Sequence, residues 1–188
     1  MYDFIDQKKA VYITFAVILL ICAAVVPAAV FFPLKAMFLI APAALEIGTS
    51  YISLFTGGIG LALIAAGLIA LAVFEVRTKR YLVSGLLFLT GALGIAFSLT
   101  DYYYMTDEEF TYNAPFSFSE NSYGWDDFVR IEERIGKKDN TNSIESVSLQ
   151  LKNGDIIELS SGNILKMSAS LAGYIEKAGG EYERIDAD

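Results

Sequence analysis

The chain has 188 residues, is 54% hydrophobic and carries a formal net charge of −8. It contains no histidine and a single cysteine, Cys22. These counts exclude an intrachain disulfide, a thiolate metal cluster and acid–base catalysis by histidine.

The charges are unevenly divided between the two halves of the chain. Residues 1–100 hold six basic and four acidic side chains, a net charge of +2, so residues 101–188 carry −10. A nearly uncharged half followed by a polar, acidic half predicts a membrane anchor over residues 1–100 and a soluble domain after it. So acidic a domain is unsuited to nucleic acid, whose phosphates require clustered lysine and arginine.

The first predicted transmembrane span covers about residues 11–32. The run contains no charged residue, and about 20 apolar residues cross the core of a bilayer. We expect Pro27 to bend this helix and Pro33 to end it. A cleaved signal peptide is the alternative, but the apolar run is long for one and the residues before it are mixed in charge.

Two further spans are predicted over about residues 51–76 and 81–100. Tyr51, Tyr81 and the tyrosines at 102–104 fit the aromatic belt of a membrane interface. Residues 34–50 are also apolar but are interrupted by Lys35, Pro42 and Glu46. We interpret them as a loop with a short interfacial helix, and a fourth span there is the alternative.

Basic residues predict the orientation of a multi-pass protein of the cell membrane. Lys8 and Lys9 precede the first span, and Arg77, Lys79 and Arg80 lie between the second and third. Under the positive-inside rule both clusters are cytoplasmic. With three spans, the N-terminus is then cytoplasmic and the soluble domain is extracytoplasmic.

Small residues recur regularly in the second and third spans. The two series are Gly58, Ala62, Ala66 and Ala70, spaced by four, and Ser84, Gly91 and Ser98, spaced by seven. Such faces let helices approach closely. They predict packing within this chain or, alternatively, against a partner protein or a second copy. The spans have no ionisable residue at their centres, which favours an anchor over a transport pathway.

The soluble half begins with the alternating pattern of half-buried strands. The pattern covers Phe110–Phe118, then Val129–Ile135 with Glu133 breaking the apolar row, then Val147–Leu151. Asn153-Gly154 between Ile144–Leu151 and Ile156–Leu159 predicts a hairpin with a type I′ turn. Pro115 should lie at an edge or bulge, because proline donates no hydrogen bond to a ladder.

A helix is predicted next, because the apolar spacing changes at Ile164 and stays helical to Ile175. We expect Ser161 or Asn163 to cap its start and Gly179-Gly180 to end it. The charged tail at 181–188 should be frayed. The predicted fold is therefore a three-helix membrane anchor joined to a small α+β domain, residues 101–180, of antiparallel strands and one C-terminal helix.

Three stretches of this half resemble bacterial pleckstrin-homology-like (PH-like) domains of membrane proteins. The stretches are Tyr104–Phe110, Tyr123–Ile131 with Trp125-Asp126-Asp127, and Leu149–Leu159 with Asn153-Gly154-Asp155, followed by the helix. The resemblance covers about residues 102–178. It implies a small antiparallel β-barrel closed by the C-terminal helix, in proteins with a few transmembrane spans, and a binding or scaffolding role.

One departure from the lipid-binding eukaryotic relatives matters. Their phosphoinositide site uses basic residues near the first hairpin, whereas Ser117–Tyr123 has none and carries Glu120. The resemblance therefore does not imply phosphoinositide binding.

Adjacent acidic residues are the candidates for metal or acid–base chemistry. They are Asp107-Glu108-Glu109, Asp126-Asp127 and Glu132-Glu133. Neighbours on a strand point to opposite faces, so we interpret them as solvated surface. Trp125 is expected to be core rather than a ligand anchor.

We therefore assign no catalytic, cofactor or metal residue. The sequence predicts a non-enzymatic membrane protein, embedded in the bilayer, whose soluble domain binds a protein or a component of the envelope. The alternative is an accessory subunit of a small transporter or channel, with the helices as the active part.

Overall fold

The computed structural model describes residues 2–138, 141–160 and 164–186. The chain forms two compact units. The first, the helical unit, contains the residues up to Leu39, Ile52–Asp101 and Pro115–Phe118. The second, the sheet unit, contains Ile40–Tyr51, Tyr102–Ala114 and the residues from Ser119 onward.

The first helix is longer than predicted. Helix α1, Tyr2–Val26, runs through a π-helical turn at Pro27–Phe31 into α2, Phe32–Phe38. Pro33 therefore does not end the helix, and the expectation that it would was wrong. Proline lacks the amide hydrogen of a regular helix, and a local π turn is one way in which membrane helices accommodate that loss. Consequently the apolar helical segment spans Gln7–Phe38 and includes Lys35.

Helices α3, Tyr51–Val73, and α4, Arg77–Thr100, complete the helical unit. Within the described ranges, these two and the first helix are the three that are long and apolar enough to cross a membrane. By the length and hydropathy of these helices, the prediction of a membrane protein with three spans is confirmed.

Helices α3 and α4 pack at van der Waals distance through glycine. A Cβ atom built on Gly60 would lie 2.7 Å from the carbonyl oxygen of Gly91, and one on Gly91 would lie 2.7 Å from that of Gly60. The predicted seven-residue series is the buried face of α4, since Ser84, Gly91 and Ser98 are its buried residues. A Cβ on Gly58 would lie 2.9 Å from the carbonyl of Ala23 in α1. Both small-residue series thus include positions in close contact within this chain.

The first sheet of the sheet unit contains four antiparallel strands in the order β1-β2-β3-β4. These are β1, Glu46–Gly48; β2, Tyr102–Met105; β3, Glu109–Asn113; and β4, Glu120–Gly124. Strand β1 was not predicted, because residues 34–50 were expected to form an interfacial loop. It depends on its partner strand: Gly48 pairs with Tyr103, whose ring leaves no room for a side chain at position 48.

Strand β3 stops earlier than the alternating pattern suggested. Ala114 and Pro115 follow it, and Phe116 adopts a φ of 62°. A residue in the left-handed region is not extended, so the strand cannot continue through Phe116. Phe116 and Phe118, predicted to continue the strand, belong instead to the helical unit, where their rings lie 5.6 and 5.1 Å from that of Phe97.

The second sheet has the order β7-β6-β5-β8. Its strands are β5, Phe128–Lys138; β6, Thr141–Leu151; β7, Ile156–Leu159; and β8, Glu181–Asp186. The β6–β7 hairpin confirms the prediction at Asn153-Gly154, but the turn type differs. Gly154 has a φ of 92°, whereas Asn153 is not among the positive-φ residues of the described chain. The turn is therefore not type I′, and glycine alone takes the left-handed position.

Strand β8 corrects the expected frayed tail. Residues 181–186 run parallel to β5, with Glu133 opposite Arg184. The segment is exposed and charged, so its own sequence gives little strand signal, and the pairing with β5 determines its structure.

Helix α5, Ile164–Lys177, packs on the strands of the sheet unit and completes an α+β fold. Its buried residues Met167, Leu171 and Ile175 join Phe110, Ile131 and Leu149 in one core. The helix ends as predicted, with Gly179 at a φ of 95° and the Gly180 amide donating to the Ile175 carbonyl. The predicted capping residues Ser161 and Asn163 lie outside the described residues.

Candidate functional site: a buried lysine where three helices end

The helical unit contains a fully buried charged side chain, that of Lys35. It lies in the last turn of α2 and is 1% exposed. Burying an ammonium group costs several kcal/mol unless hydrogen bonds replace its water. Ionisable groups within membrane helices often mark functional positions. Lys35 is thus the first candidate for a functional site, and sequence reasoning had placed it in a loop.

Hydrogen bonds within the helical unit replace the water of hydration around Lys35. Its Nζ atom donates to the hydroxyl of Ser53 and to the backbone carbonyl of Asp101, each at 2.7 Å. The Asp101 carboxylate also attracts the ammonium group electrostatically. One side chain on α2 thereby connects the first turn of α3 to the residue that follows α4.

Ser53 and Ser98 form a reciprocal pair beside the lysine. Each hydroxyl donates to the backbone carbonyl of the other residue, both at 2.7 Å. Hydroxyls that bond between helices contribute modestly to association in lipid, about 0.6 kcal/mol on average. Here they hold the start of α3 against the end of α4.

A serine beside a lysine also occurs as a nucleophile and its base. Two features argue against that chemistry here. The Ser53 hydroxyl donates its proton to Ser98 and accepts from Lys35, the reverse of what an activated nucleophile requires. Both Ser53 and Lys35 are also almost completely buried, so a substrate has no access to them.

The polar cluster is confined to one end of the helical unit. It involves the last turn of α2, the first turn of α3 and the end of α4. Beyond it, residues 52–73 and 82–100 contain no aspartate, glutamate, lysine or arginine, and glycine and alanine fill the interface. The arrangement can fasten three helix ends together, but it offers no chain of ionisable groups across the bilayer.

Most of the predicted acidic residues are exposed, as expected, and one of them, Asp107, also holds parts of the sheet unit together. Asp107 accepts a hydrogen bond from the Tyr174 hydroxyl at 2.6 Å, and its backbone carbonyl accepts one from the Trp125 indole at 3.1 Å. The bond to Asp107 raises the pKa of Tyr174 above its usual value. Trp125 is buried and stacks on Tyr174 at 4.7 Å between ring centroids. The tryptophan is core, as expected, and ties α5 to the β2–β3 turn.

Asp127 and Glu132, from the remaining acidic pairs, also have partners within the sheet unit. Asp127 accepts from the Gly124 amide at 2.9 Å. Glu132 pairs with Arg130 at 3.5 Å, and this bond is the main cause that raises the pKa of Arg130.

Glu133 is buried rather than solvated, so for this residue the surface interpretation was wrong. Within the described part of the chain, no group of three or more aspartate, glutamate or cysteine side chains is placed to hold a metal ion.

A signal for Lys35 did exist in the sequence. It is a lone lysine in an apolar run, two residues after a proline that was expected to stop the helix. Its partners Ser53 and Ser98 are among the hydroxyl residues of the spans, but their distances along the chain, 18 and 63 residues from Lys35, have no recognisable pattern.

Comparisons of the chain with protein-family models, with curated proteins and with solved structures gave no match.

Proposed function

We propose that this chain is a non-enzymatic scaffold of the cell membrane whose PH-like domain binds a partner protein. The observation that carries the proposal is the outer edge of strand β7. In the described part of the sheet, β7 has β6 on one side and no strand on the other. An extended segment of a partner can add to such an edge through backbone hydrogen bonds.

The pairing of β7 determines which of its groups face outward. The Leu151 amide donates to the Asp155 carbonyl, and Leu149 is opposite Ile157. Because antiparallel pairs alternate between bonded and non-bonded, the backbone groups of Ile156 and Glu158 point away from β6. Their side chains are exposed as well, and Ile156 is 66% exposed.

Natural proteins usually protect such edges, because an unpaired strand with an exposed apolar side chain invites association. The edge of β7 carries one carboxylate, Glu158, and no lysine or proline. The domain around it carries a net charge of −10. A partner segment that is extended and basic fits both properties.

The PH-like assignment is supported by the order of elements in the sheet unit. Four antiparallel strands form one sheet, three antiparallel strands begin the next, and α5 follows, packed on the core. A barrel closed by a C-terminal helix has its strands and helix in this order, although β1 here precedes α3 and α4 in the chain. Strand β8 is an addition to it.

The proposed orientation follows from the basic residues. Lys8, Lys9 and the turn at 77–80 belong to the same end of the three helices, and the positive-inside rule assigns that end to the cytoplasm. The sheet unit, which follows α4, is then extracytoplasmic. Its location favours a partner in the envelope.

Photo-crosslinking of the full chain in native membranes tests the proposal. A photoreactive phenylalanine analogue at position 156 should give one discrete crosslinked protein, whereas the analogue at the exposed position Glu176 on α5 should not. With the analogue placed instead at Glu158, which is also exposed on β7, Ile156→Pro removes an outward amide without breaking a bond to β6 and should abolish capture of that protein. Ile156→Thr keeps the amide and should retain the capture.

Two outcomes would refute the proposal. One is the absence of a crosslinked protein at position 156 in membranes that contain the folded chain. The other is equal capture by the Ile156→Pro and Ile156→Thr variants, which would mean that the backbone edge takes no part.

A further inference from the structure

A second cluster of charged residues lies at the opposite end of the helical unit from Lys35. It surrounds a cavity of about 340 Å³. The lining residues come from three helices: Lys8, Lys9 and Tyr12 of α1, Leu71 of α3, and Arg80 and Tyr81 of α4. The sequence showed two separate basic clusters, and the fold brings them to one cavity.

The cavity is electropositive. Among the side chains that the structure describes, no carboxylate forms an ion pair with Lys8, Lys9 or Arg80. Residues 1–10 and 74–81 together hold five basic and three acidic side chains, a net charge of +2. The N-terminus of α4, which begins at Arg77, adds the positive end of its helix dipole. An anion is therefore the ligand that this site favours.

Arg80 is held in place at the cavity. Its guanidinium lies 5.1 Å from the centre of the Tyr81 ring, and that of Arg77 lies 5.9 Å from the same ring. Such cation–π contacts restrict the side chain while leaving its five donors free to bind oxygen. The guanidinium is thus oriented before a ligand arrives.

The other walls of the cavity are apolar. Tyr12 and Leu71 are both half-buried and lie further along the helices, toward the hydrocarbon core. The apolar segment of the first helix begins at Gln7, immediately before the two lysines. The basic residues therefore lie at the depth of lipid headgroups, and the apolar wall lies at the depth of the first acyl carbons.

We propose that this cavity binds an acidic phospholipid. Lys8, Lys9 and Arg80 contact the phosphate, while Tyr12 and Leu71 pack against the glycerol and the upper acyl chain. The site connects α1 to α4 through a lipid at the end of the unit that the Lys35 cluster does not reach. This role is independent of any partner of the sheet unit.

Native mass spectrometry of the detergent-solubilised full chain tests the proposal. Titration with phosphatidylglycerol should give a saturable one-to-one adduct, and phosphatidylcholine should bind at least about five-fold more weakly. Arg80→Gln and the pair Lys8→Gln/Lys9→Gln should each weaken the phosphatidylglycerol adduct, by about five-fold for each lost charge. Arg80→Lys should retain most of the binding.

The matched control is Lys79→Gln. Like Arg80→Gln, it removes one positive charge from the first turn of α4, but Lys79 does not line the cavity. Its adduct should equal that of the unmodified chain. Because Lys8 and Lys9 are exposed, the double variant tests the site at positions where folding does not depend on the side chain.

Three results would overturn the proposal. The first is equal binding of phosphatidylglycerol and phosphatidylcholine. The second is an equal loss of adduct in the Lys79→Gln and Arg80→Gln variants, which would indicate general charge attraction. The third is displacement of the lipid by millimolar inorganic phosphate, which would identify a site for a free anion instead.

Discussion

Glu133 of β5 pairs with Arg184 of β8 at 3.1 Å, across two strands that run parallel. The same Glu133 oxygen accepts the Tyr182 hydroxyl at 2.7 Å. The Glu133 side chain is 4% exposed, whereas that of Arg184 is 58% exposed. The carboxylate that interrupts the apolar row of β5 therefore helps to hold β8 in place, together with Arg130, which pairs with Glu181 and Glu183 of that strand.

Replacing this carboxylate should loosen β8. Glu133→Gln removes the charge but keeps one acceptor for Tyr182. Hydrogen bonds to charged groups contribute about 1.5–3 kcal/mol to stability. We therefore expect the free energy that holds β8 on β5 to fall by about 1–2 kcal/mol. Hydrogen exchange of residues 181–186 in the full chain should accelerate. Glu158→Gln, at an exposed carboxylate on β7, the strand farthest from β8 in the sheet, is the control and should leave the exchange rate unchanged. Equal rates in both variants would contradict the proposed role of Glu133.

The features that could be predicted from the sequence are those that depend on neighbouring residues. The charge-free spans, the Asn153-Gly154 hairpin and α5 all have local signals of hydropathy, turn chemistry and period. Strands β1 and β8 have no such local signal, because each is short and forms only by pairing with a strand that is distant in the sequence. In β1, Gly48 pairs with Tyr103, and in β8, Arg184 pairs with Glu133. Lys35 was misplaced for the same reason: the serine and carbonyl that permit its burial are brought to it by the fold.

The hydrogen bonds of Lys35 predict a thermodynamic coupling within the helical unit. Lys35→Met keeps the length of the side chain but leaves the Ser53 hydroxyl and the Asp101 carbonyl without this donor. We expect a destabilisation of about 1–3 kcal/mol, measured as a lower midpoint of thermal unfolding in detergent.

A double-mutant cycle separates the contribution of the hydrogen bond between Lys35 and Ser53 from the general cost of each substitution. Ser53→Ala in the Lys35→Met background should cost less than Ser53→Ala alone, because the two residues share a hydrogen bond. Strictly additive effects would show that the two side chains act independently. Lys79→Met, on the exposed turn, should have no effect on the midpoint.

The contact between Gly60 and Gly91 predicts a large effect from a single methyl group. Gly91→Ala places a Cβ atom 2.7 Å from a backbone oxygen that has no side-chain freedom to move aside. Helices α3 and α4 must then separate, with the loss of their close packing. We expect a fall of several degrees in the midpoint of thermal unfolding in detergent.

Gly85→Ala is the matched control for that substitution on the same helix. A Cβ atom at position 85 meets no atom within 4 Å. Because alanine favours helix over glycine by about 0.5–1 kcal/mol, this variant should be as stable as the parent or slightly more so. If both alanine variants are equally stable, the close contact between α3 and α4 at Gly91 is refuted.

The phenol of Tyr102 predicts a loss of stability at high pH. Burial, followed by its hydrogen bond to Glu120, raises the pKa of Tyr102 from 10.0 to about 12. The folded state therefore keeps its proton when the unfolded state has lost it, so the stabilisation is complete below pH 10.0 and disappears as the pH rises to about 12. Tyr102→Phe has no proton to lose, and its unfolding free energy should fall less steeply over that window. Parallel curves for the two proteins would mean that Tyr102 titrates normally, and the difference in phenolate absorbance between them measures its pKa directly.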